Sequence, residues 1–195
     1  RDQPRSRGLG DVYKRQVLDW GIHLLDQALR IGEGRKLISV YAELTNVTNE
    51  ECDDGFRVTL IFEGDLSMYV EVTTSNFIEL PRWYILGENG SAVINDWDLN
   101  GEIVKVSDWE NRDAVPILAG VGLTKTMAPR TDDTIKHYPL PKVDSSWTQF
   151  YENVFAALRG EEEQLITHDQ QRRLLKLVDA IFESGNENKV VFFDK

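Results

Sequence analysis

An aspartate and a histidine one helical turn apart are the residues in this sequence best suited to chemistry. Asp19 and His23 are four positions apart and Asp26 follows three positions later, so on an α-helix all three share one face. An imidazole titrates at about 6.5 and exchanges a proton near neutral pH. A carboxylate one turn away can orient the ring or bind a substrate hydroxyl. The same spacing suits a helix cap with a surface ion pair, or three ligands of one metal ion, and spacing alone leaves these interpretations open.

Apolar residues around this motif recur at the spacing of one helix face. Their intervals are four, three and four residues, which predicts a helix that begins near Leu18 and ends by Gly32. Asp19 and His23 belong to its opening turns, and we expect both side chains to face outward into a cleft. The apolar stripe consists of Leu18, Ile22, Leu25 and Leu29.

Alternating apolar and polar residues then predict a run of strands. The clearest alternation covers residues 38–44, 56–62 and 66–72. The hairpin signals Asn89-Gly90 and Asn100-Gly101 bracket three more strands, at residues 83–86, 92–95 and 103–106. Because tight turns and no helices separate these strands, they must pair antiparallel.

Two helices and a short strand close the chain. Ser146 with Gln149, and Thr167 with Gln170, have the spacing of capping boxes. The apolar stripes are Phe150, Val154 and Leu158 in the first helix, and Leu174, Leu177, Val178, Ile181 and Phe182 in the second; residues 190–193 form the strand. Strands grouped together with helices at the ends predict an α+β fold, an open and predominantly antiparallel sheet with helices packed on one face.

The predicted helices are too few to cover both faces of a six-stranded sheet. Tyr41, Ile61 and Tyr69 lie opposite the main apolar rows of their strands, which gives the uncovered face a mixed aromatic and polar character. We therefore expect this open sheet face to pair with a second copy of the chain, in a homodimer or homotetramer. An ordinary solvated face is the alternative.

The composition excludes several classes of protein. Among 195 residues, 33 acidic side chains outnumber 22 basic ones, for a net charge of −11. This excess repels nucleic acid and anionic membrane surfaces. No apolar run reaches the roughly 18–20 residues that span a bilayer, and the single cysteine, Cys52, cannot form an internal disulfide. These features indicate a soluble, cytoplasmic protein without nucleic-acid or membrane partners.

Residues 1–16 differ from the rest of the chain. They hold five basic and two acidic residues without apolar periodicity, and the string SRGLGDVYKRQ within them resembles a translated sequencing adapter. A natural basic arm is the alternative. We expect residues 1–16 to be a non-native segment, and we assign residues 17–195 to the domain.

Three stretches resemble a known family. They are VLDWGIHLLDQAL at the motif, Arg82-Trp83-Tyr84 followed by Gly87 and Gly90, and RRLLKLVDAIFESG near the end. Over residues 17–195 the chain resembles the C-terminal domain of the Gfo/Idh/MocA family, the glucose–fructose oxidoreductases and inositol dehydrogenases. The resemblance implies the substrate-binding and oligomerisation domain of an NAD(P)-dependent oxidoreductase acting on a sugar or cyclitol hydroxyl or carbonyl. It implies His23 as the proton acid/base, and Asp19 as the residue that orients a small polyhydroxylated substrate.

The sequence also departs from the family pattern. The family's N-terminal half is a Rossmann domain with a glycine-rich turn and a Glu-Lys-Pro segment. Neither a Gly-x-Gly-x-x-Gly string nor a Glu-Lys-Pro string occurs in these 195 residues. We therefore expect NAD or NADP to be bound mainly by a domain absent from this sequence, and the chain alone to be inactive.

Some residues and interpretations stay open at this level. Lys125 and Arg130 lie in the irregular stretch of residues 110–143, where a long loop can reach an active site and bind an anionic or polyhydroxylated ligand. Solvated cations are the alternative. Two alternatives to an oxidoreductase domain stay open. The protein is a non-catalytic binding or assembly module of the same architecture, or it holds a metal ion on the face of Asp19, His23 and Asp26.

Overall fold

The computed structural model describes residues 15–48, 52–108, 117–118, 121, 123–124, 132–143 and 145–193. The chain forms two compact units: the first runs up to Phe77 and resumes from Trp147, and the second spans Ile78–Ser146. The described residues form antiparallel sheets and three α-helices, which confirms the α+β class. Within this part of the chain, no helix combines the length and the apolar composition needed to cross a bilayer.

The secondary structure elements follow the chain in this order. They are a π-turn (Val17–Gly21), α1 (Ile22–Ile31), β1 (Leu37–Thr45), β2 (Gly55–Phe62), β3 (Ser67–Thr73), β4 (Trp83–Gly87), β5 (Gly90–Ile94), β6 (Gly101–Val106), β7 (Ile117–Leu118), β8 (Leu123–Thr124), β9 (Ile135–Pro139), α2 (Trp147–Leu158), α3 (His168–Glu187) and β10 (Val191–Phe192).

The first unit is built on a four-stranded antiparallel sheet of order β10-β1-β2-β3. Alternate residues of its strands are buried, and α1 and α3 pack on that face. The helices therefore lie on one face of an open sheet, as the alternation predicts. The core contains Leu25, Leu29, Val40, Ala42, Phe56, Val58, Leu60, Leu174, Leu177, Val178 and Ile181.

One strand departs from the predicted alternation. The sequence predicts Ile38 on the core face of β1, but this side chain is 37% exposed. Leu37 instead pairs with the buried Phe62 and packs on the core. Because the register shifts between Leu37 and Ser39, Ile38 is the extra residue of a β-bulge, which regular alternation does not anticipate.

The second unit has its own four-stranded antiparallel sheet, of order β4-β5-β6-β9, together with the short pair β7-β8. The sequence predicts a single sheet of six strands, but among the described residues no ladder joins β3 to β4. The break falls at residues 74–82, which include Pro81, a residue without an N–H to donate to a ladder. Strand β9 lies inside the stretch predicted to be irregular.

The Asn89-Gly90 signal locates a hairpin correctly, but Gly90 belongs to a strand and not to the turn. Gly87 pairs with Gly90, so the turn residues are Glu88 and Asn89, and Gly90 is the first residue of β5. A Cβ at Gly90 would lie 2.4 Å from the Val104 carbonyl oxygen on the neighbouring strand. This glycine permits a close approach of two backbones.

Helix α2 is far more exposed than its apolar stripe predicts. Phe150 is 46% exposed and Leu158 is 77% exposed, whereas the polar Asn153 is buried. The Asn153 carboxamide donates to the Glu163 carbonyl at 2.9 Å and accepts from the Leu165 N–H at 3.0 Å. These bonds turn the Asn153 side of α2 toward the loop that precedes α3, and they leave the aromatic stripe outside.

Helix α3 begins with the predicted capping box. The Thr167 hydroxyl accepts from the Gln170 N–H at 3.2 Å, and the Gln170 carboxamide accepts from the Thr167 N–H at 2.9 Å. Two N–H groups at the start of the helix are thereby satisfied reciprocally. The predicted stripe is buried at Leu174, Leu177, Val178 and Ile181.

Ser184 joins α3 to the sheet. Its fully buried hydroxyl oxygen accepts from the Ala42 N–H at 2.8 Å and donates to the Lys189 carbonyl at 2.6 Å. Strand β10 pairs with only Ser39 and Val40 of β1. Ser184 therefore satisfies a strand N–H that lies beyond the end of this short partner strand.

Replacing Ser184 with alanine should lower the free energy of unfolding by about 1–3 kcal/mol, because the Ala42 N–H and the Lys189 carbonyl lose their partner together. Urea unfolding followed by circular dichroism measures this loss. Ser67→Ala, at an exposed serine of β3, is the matched control and should change stability by less than about 0.5 kcal/mol. Equal losses in the two variants would contradict the role given to Ser184.

Candidate active site

The helix that carries Asp19 and His23 begins with a π-turn. The Gly21 N–H donates to the Gln16 carbonyl, five residues earlier, at 2.8 Å, and the helix is α-helical from Ile22 onward. π-Turns are rare and occur frequently at functional sites. The sequence predicts a regular α-helix throughout, so this turn is a feature that the apolar spacing does not reveal.

Asp19 and His23 are both exposed. Asp19 lies in the π-turn, His23 lies in the first turn of α1, and Leu25 and Leu29 are buried on the core side of the same helix. Within the described residues, no hydrogen bond or ion pair joins the Asp19 carboxylate to the His23 imidazole. Both groups therefore lie on an outward face, as the sequence predicts, and the cleft expected beside them stays a prediction.

Asp26 serves the helix itself. Its Oδ2 atom lies 2.9 Å from Arg30 Nε, one turn further along α1. In the part of the chain that the structure describes, no group of three or more histidine, cysteine, aspartate and glutamate side chains is arranged to hold a metal ion. The metal interpretation of the motif therefore gains no support.

Gly21 sets the distance between the motif and the sheet. A Cβ at this position would lie 2.8 Å from the ring of Phe56, a buried residue of β2. Any larger residue at position 21 would have to move either the ring or the π-turn. The sequence alone does not predict this role of Gly21, because its packing partner Phe56 lies 35 positions away.

The start of the π-turn is tied to the loop before β2. The Val17 N–H donates to Asp53 Oδ2 at 3.0 Å, and the Gln16 N–H donates to the Asp53 carbonyl at 3.2 Å. Asp53 is only 5% exposed. Burial raises the pKa of this carboxyl above its ordinary value, although the Val17 N–H and the Arg15 cation act in the opposite direction.

The importance of Asp53 was not apparent from the sequence. Its contact with Val17 joins residues 36 positions apart, and no local pattern reports such a pairing. The one available signal is an acidic pair, Asp53-Asp54, directly before an apolar strand.

Asp54 is buried for a different reason. Its carboxylate accepts from the Thr48 N–H, from the Thr48 hydroxyl at 2.9 Å and from the Thr45 hydroxyl at 3.4 Å. Burial raises the pKa of Asp54, but these donors and the Val47 N–H outweigh burial and hold the pKa below its ordinary value. Asp54 thus shapes its own loop.

The structure adds no further candidate residue to the motif within its described residues. Lys125 and Arg130 lie outside the described residues. His137 belongs to the second unit, where its Nδ1 lies 2.6 Å from Glu102 Oε2, and the exposed His168 is the first residue of α3. The described part of the chain therefore gives a candidate site of two groups, Asp19 and His23.

The family comparison points to the same helix. A family model described as the GFO/IDH/MocA C-terminal domain matches residues 3–93, a range that contains the motif and β1 to β4. Over this range the chain is similar to the GFO/IDH/MocA C-terminal domain. The match begins within residues 1–16, the segment that the sequence sets apart.

Solved structures extend the similarity across the chain. An NAD-binding protein from Listeria innocua is 40% identical, with a TM-score of 0.82, over 92% of this chain and 51% of that protein. The fold is also shared by yvaA of Bacillus subtilis, assigned as an oxidoreductase (16% identity, TM-score 0.72, 100% and 55% of the chains). A third similar structure is the WlbA dehydrogenase from Bordetella pertussis in complex with NADH and UDP-GlcNAcA (18% identity, TM-score 0.58, 92% and 45%).

Two facts limit which properties of these proteins can be assigned to this chain. The chain spans about half the length of the solved structures that it matches. No curated protein matches the chain. The relatives are NAD-binding proteins and oxidoreductases, and the similarity shows the architecture that they share with this chain.

Asp54→Asn should make the protein less sensitive to acid. The folded-state pKa of Asp54 is lowered, so its ionisation stabilises the fold above the unfolded-state pKa of about 4, and this stabilisation is lost as the pH falls through the folded-state pKa. Urea unfolding between neutral pH and about pH 2.5 should show a wild-type advantage that shrinks in acid. Asp65→Asn, at an exposed turn position, is the matched control. A wild-type advantage that stays constant or grows in acid would contradict the hydrogen-bonding role of Asp54.

Proposed function

We propose that this domain is the substrate-binding and oligomerisation half of an NAD(P)-dependent oxidoreductase that acts on a sugar or cyclitol hydroxyl or carbonyl. The observation that carries the proposal is the exposed face of Asp19 and His23 on a helix whose other face is anchored in the core. The similarity to the GFO/IDH/MocA C-terminal domain and the similarity to the NAD-binding protein support it.

In this proposal His23 moves the proton. A neutral imidazole accepts the hydroxyl proton when an alcohol is oxidised, and the imidazolium returns the proton in the reverse reaction. Asp19, in the preceding turn, accepts hydrogen bonds from hydroxyl groups and holds the substrate against the ring. Because a carboxylate only accepts and hydroxyls donate, the pair suits a small polyhydroxylated substrate.

The described residues do not fit a dinucleotide. Every strand pairing among them is antiparallel, whereas dinucleotide sites use a parallel βαβ unit with a glycine-rich turn. No step through NAD or NADP is therefore assigned to these residues. We propose that the cofactor is bound by the half of the enzyme that corresponds to the uncovered half of the relatives.

The open face of the first sheet supports the oligomerisation role. Ile61 is 40% exposed and Tyr69 is 59% exposed on this face. Beside them, Arg57 lies 3.0 Å from Glu71 and 3.9 Å from Glu43, so the charges on the face are paired within one copy. A face with exposed apolar groups and internally paired charges suits contact with a second copy.

The single cysteine suits a cytoplasmic location.

A chimera tests the catalytic role of His23. Residues 17–195 replace the matched half of the Listeria innocua protein, and NADH oxidation is measured with a panel of keto sugars and inosose compounds. His23→Ala should lower the turnover number by roughly 10²–10⁴, the usual contribution of a general acid/base. His168→Ala, at an exposed histidine of the same unit, is the matched control, and the 195-residue chain alone should show no turnover. Equal activity of the two variants would favour a non-catalytic binding or assembly module.

A charge placed on the open face tests the oligomer. Ile61→Lys should convert the dimer or tetramer to a monomer, because an unpaired ammonium group would be buried between copies. Light scattering after size-exclusion chromatography gives the mass. Leu175→Lys, at an exposed apolar residue of α3, should leave the mass unchanged. A monomeric wild-type protein would refute the proposed interface.

A further inference from the structure

The first turn of the motif helix is held by a group from outside the helix. Val17 is fully buried, and its N–H is among the first N–H groups of the helix, which have no partner within it. Asp53 provides that partner through its carboxylate, and it binds the Gln16 N–H through its carbonyl. Two successive N–H groups are thus fixed by one residue of the loop before β2.

A buried carboxylate is an unfavourable group to place at this position. Loss of water disfavours its charged form, and the raised pKa of Asp53 reflects that loss. The Val17 N–H, the positive end of the helix and the Arg15 cation offset part of it. The Arg15 guanidinium carbon lies 5.7 Å from the centre of the Phe182 ring, within the range of a cation–π contact. The N–H group, the helix end and the cation together stabilise the charged form of the buried Asp53 carboxyl.

We propose that Asp53 is a positioning residue for the Asp19–His23 pair. Asp53 binds the turn two residues before Asp19, and so it fixes where the π-turn begins. If this acceptor is removed, the buried Val17 N–H has no partner, and the π-turn can relax to an α-helical turn with fewer residues per turn. Such a change rotates Asp19 relative to His23 about the helix axis. The inference rests on the proposed function only for its consequence in catalysis.

Asp54 offers a matched control in the next position. Both carboxyl groups are buried, but Asp54 binds Thr48 of its own loop and Thr45 at the end of β1. A general disturbance of the loop should follow from either substitution. A specific disturbance of the π-turn should follow only from substitution of Asp53.

Amide hydrogen exchange of the whole 195-residue chain, measured by NMR, tests the contact. The quantity compared is the Val17 exchange rate divided by the mean rate of the buried α3 amides, which corrects for any change in global stability. Asp53→Ala should raise this ratio by about tenfold or more, as expected for the loss of one hydrogen bond to a charged group. It should also shift the ring resonances of His23. Asp53→Asn keeps an acceptor oxygen, so its ratio and its ring resonances should stay near those of the wild type.

The same measurement can overturn the inference. A Val17 ratio unchanged in Asp53→Ala would show that the contact does not hold the turn. A ratio raised equally in Asp54→Ala would show a general loop effect. If Asp53→Ala does not fold, Asp53→Asn still decides, because loss of Val17 protection in that variant would contradict a role based on an acceptor oxygen.

The chimera separates this inference from the proposed function. There, Asp53→Ala should lower the turnover number and Asp53→Asn should restore it, if His23 is catalytic. Should His23→Ala leave the turnover number unchanged, the proposed function fails, but the exchange result still decides whether Asp53 positions the turn.

Discussion

The burial of one face of α1 is the interaction on which the rest of the site depends. Leu25 and Leu29 are buried in the core formed by α1, α3 and the first sheet. Exposing either side chain would cost about 1.5–3 kcal/mol, so the rotation of the helix about its axis is fixed. Asp19 and His23 therefore face outward because Gly21, Leu25 and Leu29 face the core.

Two residues from outside the helix, Asp53 and Phe56, then set its position. Phe56 of β2 meets the helix at Gly21, where no side chain can be added without a clash. Asp53 binds the N–H groups at the start of the π-turn. Since Asp53 lies only three positions before Phe56, one short stretch of chain contacts the motif at two points. The geometry of the candidate site is thus a property of residues 53–56 as much as of the motif.

The sequence predicts those features of the fold that depend on neighbouring residues. Helical spacing locates α1, and alternation locates β1 to β3, because burial on one face imposes a fixed period. The two Asn-Gly hairpin signals locate β4 to β6. The outward placement of Asp19 and His23 follows from the same spacing. Local pattern does not reveal the bulge at Ile38, since a bulge depends on how two strands align.

Features that depend on distant contacts required the structure. The exposure of α2 follows from hydrogen bonds between Asn153 and the loop that follows the helix. The spacing of apolar residues in α2 does not predict these bonds. The division into two sheets depends on which strand edges pair. Alternation within each strand is the same whether the strands form one sheet or two, so it does not predict the division. The role of Asp53 depends on a hydrogen bond across 36 positions. The outward placement of Asp19 and His23 could thus be predicted from the sequence, and the contacts that hold their helix turn could not.

A crystal structure of the chimera with NADH and a bound inositol or sugar tests the central claim most directly. We predict a ring nitrogen of His23 at about 3 Å from the reacting oxygen, with the Asp19 carboxylate on a neighbouring hydroxyl. A ligand bound beside the nicotinamide with His23 turned away from it would contradict the catalytic role of this helix.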